Sequence, residues 1–302
     1  MIEVQHAGFC DLVVDQGRPG QGALGVPVGG AADVEALVAA NRLVGNEDAA
    51  AGLECTLRGP RLRFPTGGMV ALTGVRFAAS RSRGGPVVWN ETLMLGENEV
   101  LTLGEAPTGC RCWLALQGGV TVPEVMGSRS TFLPAGWGGY QGRPLQAGDR
   151  LASGMLLSDV HMMRAYPPVP AEGPLRVVAG PQIHLFENDG LAALFAGEFR
   201  VAAASDRRGL RLAGPNVAHT AVELPSQGVM PGAIQVPPDG QPIILGWDGP
   251  VTGGYPVVAG VITADWPRLA QLRPGDAVRF VTIEQERARQ LAEAVWRIEA
   301  LA

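Results

Sequence analysis

The chain has 302 residues, 46% of them hydrophobic and 18% charged, with a formal net charge of −5. That balance buries a sizeable core and excludes disorder, and the acidic charge excludes the basic footprint of a nucleic-acid-binding surface. All 24 basic residues are arginine, so chemistry that needs a lysine of this chain is excluded: Schiff bases, a phosphate-loop lysine, an attached biotin.

No apolar run approaches the roughly 20 residues of a membrane span. The first residues, MIEVQHAGFCDLVV, lack a basic segment leading into an apolar one, so no signal peptide and a cytoplasmic location are expected. The 42 glycines and 24 prolines suit many short strands joined by turns, and a mainly β fold with a few helices is predicted.

In chain order, residues 33–43 (DVEALVAANRL) predict a helix with Asp33 as its N-cap. Strands are predicted over 69–72, 100–103, 112–116 and 175–178, and again over 243–245 and 277–282. A weaker helical pattern covers 185–195. Residues 284–301 place Leu291, Val295, Ile298 and Leu301 on one stripe behind Glu284 and Glu286, which predicts a C-terminal amphipathic helix. Four prolines in residues 166–174 (YPPVPAEGP) mark a linker between domains 1–165 and 175–302.

Two internal echoes suggest that the two domains are related. LQAGDRL (145–151) matches LRPGDAV (272–278), an offset of 127 residues, and GALGVPVGG (22–30) matches GAIQVPPDG (232–240), an offset of 210. A tandem duplication gives a single offset. Either one match is chance, or segments are exchanged between the domains.

Cys10, Cys55, Cys110 and Cys112 are too few and scattered for a disulfide framework, and alternation puts Cys110 and Cys112 on one face as buried thiols. His6, His161, His184 and His219 have no metal-ligand spacing, so no metal site is expected. Three arginines stand among small or turn-forming residues. Arg18 in DQGRPG is displayed by its turn, either as an anion anchor or as a surface salt bridge. Arg129 in GSRST is flanked by hydroxyls, which suits an anion cradle or an ordinary polar loop. Arg207 in SDRRG either binds an anion or pairs with Asp206 to order a turn. Residues 229–253 (VMPGAIQVPPDGQPIILGWDGPVTG) crowd turn signals around two apolar runs, the mark of a shaped loop beside a sheet. Within and beside it Asp248 is a candidate for proton transfer, and Gln235, Thr252 and Tyr255 are candidates for positioning a substrate. Asp239 precedes Gly240 and reads first as a turn residue.

At these residues the chain resembles a known family. GAIQVPPDGQPIILGWDGPVTGGYP, QLRPGDAVRF, DQGRPGQGALGVPVGGAAD, LECTLRGPRLRF, GSRST, GPQ and SDRRGLRLAGP all fit, in order, the carboxyltransferase-type family of the 5-oxoprolinase C subunit. That family includes the sporulation regulator KipA, the urea carboxylase carboxyltransferase domain and proteins labelled allophanate hydrolase subunit two. The resemblance implies two cyclophilin-like β-barrel domains and two partners: a KipI-like protein, the 5-oxoprolinase B subunit, and a LamB/YcsF-like protein, the 5-oxoprolinase A subunit. It implies ATP-driven opening of 5-oxoproline to glutamate, with ATP acting at the assembled complex. The urea carboxylase branch implies carboxyl transfer instead, with biotin on a separate carrier. KipA implies a regulatory role, the capture of a KipI-like kinase inhibitor. In this reading Arg18, Arg129 and Arg207 bind carboxylate or phosphate, Asp248 moves a proton, and Gln235, Thr252 and Tyr255 hold the substrate. The chain departs from the family pattern at Gly29, which replaces a serine. Gly249, Val251 and Val257 stand where the family has an arginine, a threonine and a basic residue.

Overall fold

The computed structural model describes residues 1–155, 161–168, 172–220, 224–292 and 296–301. The chain divides into two compact units, each assembled from separate stretches. The first comprises Met1–Arg18, Gly29–Pro168 and Val295–Ala302; the second comprises Pro19–Val28 and Val169–Ala294. The fold is mainly β, as expected, with all the predicted strands present.

The first unit contains a five-stranded antiparallel sheet in the order Cys10–Val14, Gly52–Thr56, Arg111–Leu116, Gly68–Gly74, Thr92–Leu95. A six-stranded sheet carries Ile2–His6 and Arg61–Phe64 at its centre. Alternation explains the core. Leu53 and Cys55, and Cys112, Leu114 and Leu116, join the main cluster with Val4, Leu62, Phe64, Leu101 and Leu103. The strand Arg111–Leu116 is buried along its whole length, because Ala115, on the other face, packs in a second cluster with Ala40 and Leu43 of the helix Val34–Leu43. Asp33 caps that helix by accepting from Ala36 N at 3.0 Å, the role its position predicts. Cys110 and Cys112 are buried free thiols, although Cys110 lies just before the strand that holds Cys112.

The C-terminal helix is corrected. It spans only Gln285–Leu291, and Arg297–Ala300 is a strand paired antiparallel with Met163–Tyr166. Trp296 and Ile298, two residues apart, pack on the second cluster while Arg297 and Glu299 stay exposed. The apolar spacing there is that of a strand, and tertiary pairing overrides the helical stripe. Val295, a member of that stripe, lies outside the described residues, as does part of the linker 166–174. The weaker helix is shifted: a single turn at Ile183–Leu185 precedes a helix over Asn188–Ala196.

In the second unit one sheet of eight strands runs in the order Ala277–Val278, Phe199–Val201, Gly209–Ala213, Ile243–Leu245, Ala233–Gln235, Val257–Val261, Leu175–Ala179, Phe280–Thr282. Its first and last strands are successive pieces of one segment interrupted at Arg279, so the sheet nearly closes into a barrel. The predicted strand 277–282 is therefore two half-strands on opposite edges.

One of the two echoes is structural. In the first unit Asp149 accepts from Gln146 N and Gly148 N donates to Val4 O, while Val4 N donates to Asp149 O. In the second unit Asp276 accepts from Arg273 N, Gly275 N donates to Val201 O, and Val201 N donates to Asp276 O. Gly148 and Gly275 adopt φ of 95° and 92°, open only to glycine without strain. The other echo has no common local structure. Gly22–Leu24 is an exposed 3-10 turn, whereas Ala233–Gln235 is a buried strand.

Candidate functional site

In the first unit, the loop holding Arg129 is built around a carboxylate. Asp15 Oδ1 accepts from Gly17 N at 2.8 Å, Ser128 Oγ at 2.6 Å and Ser130 Oγ at 2.5 Å, and Oδ2 accepts from Arg129 N at 2.5 Å. Thr131 Oγ1 donates to Val13 O. The hydroxyls that make GSRST look like an anion cradle are thus spent inside the protein, and the anion they cradle is Asp15.

Arg18 corrects the expectation of a displayed side chain, for it is only 1% exposed. It donates from Nη2 to Ser130 O, and its guanidinium stacks 4.6 Å from the centre of the Trp137 ring. Gly138 allows this approach: a Cβ there clashes with Ser130 O and falls 3.3 Å from Arg18 Nη2. Arg129 is the accessible arginine of the two. Its side chain is 38% exposed, it pairs with Glu124 at 2.8 Å, and it lines a cleft of about 420 Å³ with Asn46, Glu47, Gly118, Gly119 and Met155.

The carboxyl of Asp33 is pushed up to about 6 by burial, against the Ala36 N–H, which favours its charged form; Glu35 and Glu54 add repulsion. Asp11 is likewise pushed up to about 6 by burial. The Cys55 thiol is held well above its ordinary value by its hydrogen bond with Cys112 and by burial, which makes it a structural thiol rather than a nucleophile.

In the second unit Arg207 and Asp248 meet. Arg207 Nε and Nη2 donate to Asp248 Oδ2 and Oδ1 at 2.8 and 3.2 Å, and both residues are buried. Asp248 N also donates to Arg207 O. Asp206, the neighbour considered as a partner for Arg207, instead caps the turn by accepting from Arg208 N and Gly209 N. Asp239 accepts from Gln241 N, the turn role its sequence suggests.

Gln235 is 4% exposed and donates to Tyr255 O at 3.2 Å. Thr252 is exposed on a two-residue strand paired with Gln227–Gly228, and Tyr255 is 45% exposed beyond it. Gly249 fills a tight position, its Cβ falling 2.8 Å from Arg208 O, so the arginine of the family pattern does not fit this loop without moving it.

Asp15, Gln182 and Gln227 join these residues without having stood out in the sequence. Asp15 opens DQGRPG and Gln182 closes GPQ, so both lie inside motifs that mark the family; Gln227 carries no signal of its own. Among the described residues no group of three or more histidine, cysteine or acidic side chains can hold a metal ion. No helix among them is long and apolar enough to cross a membrane.

A family model described as carboxyltransferase domain, subdomain A and B, matches residues 24–282. The chain is 37% identical over 308 residues to the 5-oxoprolinase C subunit of Escherichia coli K12, covering 99% of each chain. It is 34% identical to the urea amidolyase of Lachancea kluyveri, covering 97% of this chain and 17% of that one. The crystal structure of the Kluyveromyces lactis urea carboxylase superposes with a TM-score of 0.86 at 31% identity, over 97% of this chain and 28% of that one. These relatives are enzymes or enzyme subunits, and their shared domain has the fold described above. The chain belongs to the carboxyltransferase domain family, subdomains A and B, together with the 5-oxoprolinase C subunits and the urea amidolyases.

Proposed function

We propose that this chain is one subunit of an ATP-dependent 5-oxoprolinase that opens 5-oxoproline to glutamate together with KipI-like and LamB/YcsF-like subunits. The observation that carries the reading is sequence identity: the chain is 37% identical to a 5-oxoprolinase C subunit over 308 residues, against 34% over 320 residues of a urea amidolyase. The reaction breaks the ring C–N bond, with a water oxygen going to the carbonyl carbon and a proton to the ring nitrogen. ATP supplies the driving force at the assembled complex.

Within this reading Arg129 is the accessible anion-binding arginine of the first unit, because it is exposed on a cleft. Arg18 supports the Trp137 segment from inside, and Arg207 holds Asp248. Asp248 serves as a proton acceptor with the lone pairs that Arg207 leaves unused, since each carboxylate oxygen carries two and spends one on the guanidinium. Gln235 and Tyr255 line the same unit as that pair, with Thr252 between them in sequence.

A second reading, carboxyl transfer from a biotin carried elsewhere, is supported by the family model and by the fit to the urea carboxylase structure. ATP-dependent glutamate release from 5-oxoproline, measured with the three subunits co-purified and with this chain omitted, separates the two. Release that continues unchanged without this chain rejects the 5-oxoprolinase reading. Partner binding without turnover points to a KipA-like regulator.

A further inference from the structure

From Cys55 to Asn90 the chain carries six arginines and neither aspartate nor glutamate, in a protein of net charge −5. Arg63 and Arg81 are paired, with Glu3 and Glu99. Arg83 lies beside Gly96, where a Cβ would fall 3.4 Å from its Nη1. The other three, Arg58, Arg61 and Arg76, are exposed and form no ion pair among the described residues. Antiparallel pairing gathers these three. His6 ends its strand where Arg61 begins the next, and Leu103 ends the third where Ala79 begins the fourth, so all four lie at one end of the six-stranded sheet. Just beyond that end Phe9 N donates to Arg58 O at 2.7 Å, Gly59 N to Gly104 O at 3.0 Å and Ala78 N to Glu105 O at 2.9 Å. These bonds set the segments carrying Phe9, Arg58 and Arg76 side by side.

Phe9 stands among these arginines. It is 66% exposed, the most exposed aromatic side chain among the described residues, whereas six of the other seven phenylalanines are buried. Its backbone is held in place. Gly8 N donates to Asp11 Oδ2 at 2.5 Å, and no larger residue replaces Gly8, whose Cβ would clash with Arg58 O and fall 2.6 Å from Asp11 Oδ1. A ring presented on a fixed turn lowers the ordering cost of binding. Two carboxylates are near: Asp11 is buried and turned to Gly8, and Glu105 is exposed opposite Arg58. Three exposed arginines against one exposed carboxylate leave this surface positive.

We propose that this end of the sheet docks an acidic face of a partner protein, with Phe9 entering an apolar pocket of the partner and Arg58, Arg61 and Arg76 meeting its carboxylates. Aromatic rings and arginines are the residues that protein interfaces concentrate. A ring enclosed by contacts that exclude water is the arrangement in which one side chain carries most of the affinity. Charge complementarity selects the partner. A positive surface on a chain of net charge −5 attracts a local cluster of carboxylates, whereas the rest of the chain repels a long polyanion such as a nucleic acid. That the partner is a subunit of a 5-oxoprolinase rests on the function proposed above; the acidic character of its docking face does not.

The test is calorimetric titration of the full-length chain with the KipI-like subunit and with the LamB/YcsF-like subunit, each purified singly. One of the two is expected to bind, more weakly as salt is raised. Phe9→Ser is expected to weaken that binding about tenfold or more. Arg58→Glu together with Arg61→Glu is expected to weaken it about tenfold and to flatten its salt dependence. Arg83→Glu, at the opposite end of the sheet, is expected to leave it unchanged. All the substituted side chains are exposed, and melting curves that match the unmodified chain show that the variants fold. Binding unmoved by Phe9→Ser, or by the two arginine changes, overturns the surface and keeps the 5-oxoprolinase reading. Glutamate release that ignores this chain, together with binding lost in Phe9→Ser, keeps the surface and rejects that reading. Failure of both subunits to bind overturns the surface, as does an oligonucleotide that binds the unmodified chain but not Phe9→Ser.

Discussion

Arg207 lays two guanidinium nitrogens on the carboxylate of Asp248, at 2.8 and 3.2 Å, although 41 residues separate them in the chain. Both are buried, so the carboxylate depends on the guanidinium. Arg207→Ala is expected to cost about 3–5 kcal/mol of stability, because it strands the Asp248 carboxylate. Replacing both, with Arg207→Met and Asp248→Leu together, is expected to cost less. Urea unfolding of the two variants checks this; a double variant as unstable as Arg207→Ala refutes it.

Asp15 is expected to order the loop that carries Arg129. Its two oxygens accept from two hydroxyls and two backbone amides. Asp15→Ala leaves those donors without their acceptor and is expected to destabilise the protein by about 3 kcal/mol. Faster hydrogen exchange at residues 127–131, beyond any change in the strand Gly68–Gly74, is the specific readout.

The pH dependence of stability has a definite sign at Asp33. Its carboxyl rises from 3.8 to about 6 on folding, chiefly through burial, so the folded protein holds that proton more tightly than the unfolded chain. The stabilisation is full below pH 3.8, falls as pH rises through the window to about 6, and stays lost above it. Asp33→Asn keeps an N-cap oxygen and removes the titration. The stability of Asp33→Asn relative to the unmodified protein is therefore expected to rise by about 3 kcal/mol between pH 3.8 and 6. A difference that does not change with pH refutes the assignment. Asp11→Asn, at a carboxyl also raised to about 6, is expected to behave in the same way.

The strand Arg297–Ala300 predicts a position-specific effect of proline. Ile298 pairs opposite Ala165 and packs on the cluster beside the helix Val34–Leu43. Ala165 N donates away from this pair, to Asn90 O, so the ladder bonds fall at Arg164 and Glu299; Glu299→Pro removes a ladder donor and is expected to cost about 3 kcal/mol. Proline at Glu286, an exposed residue in the first turn of the short helix Gln285–Leu291, is expected to be nearly silent. Thermal melts of the two variants distinguish a strand from the helix that the apolar spacing suggests.

Local chemistry made much of this molecule legible in its sequence. The N-cap at Asp33 and the alternating strands depend on neighbours a few residues away, and each appears where the residues predict it; the echo of LQAGDRL in LRPGDAV is likewise local, a Gly-Asp turn in both units. The C-terminal stripe misled because Ile298 satisfies a helical period with Leu291 and Leu301 and a two-residue period with Trp296. Which period holds depends on Met163–Tyr166, more than a hundred residues earlier.

The candidate site divides in the same way. From the sequence alone came the residue types: a chain without lysine, arginines set among turn-forming residues, and the shaped segment around Gln235 and Asp248. Only the tertiary structure distinguished the three arginines. Arg18 is buried against Ser130, Arg129 is exposed on a cleft beside Glu124, and Arg207 is locked to Asp248. A guanidinium has the same charge and reach wherever it sits in a sequence. Its role is set by how much water surrounds it and which carboxylate or carbonyl comes within about 3 Å, and those are properties of the folded chain.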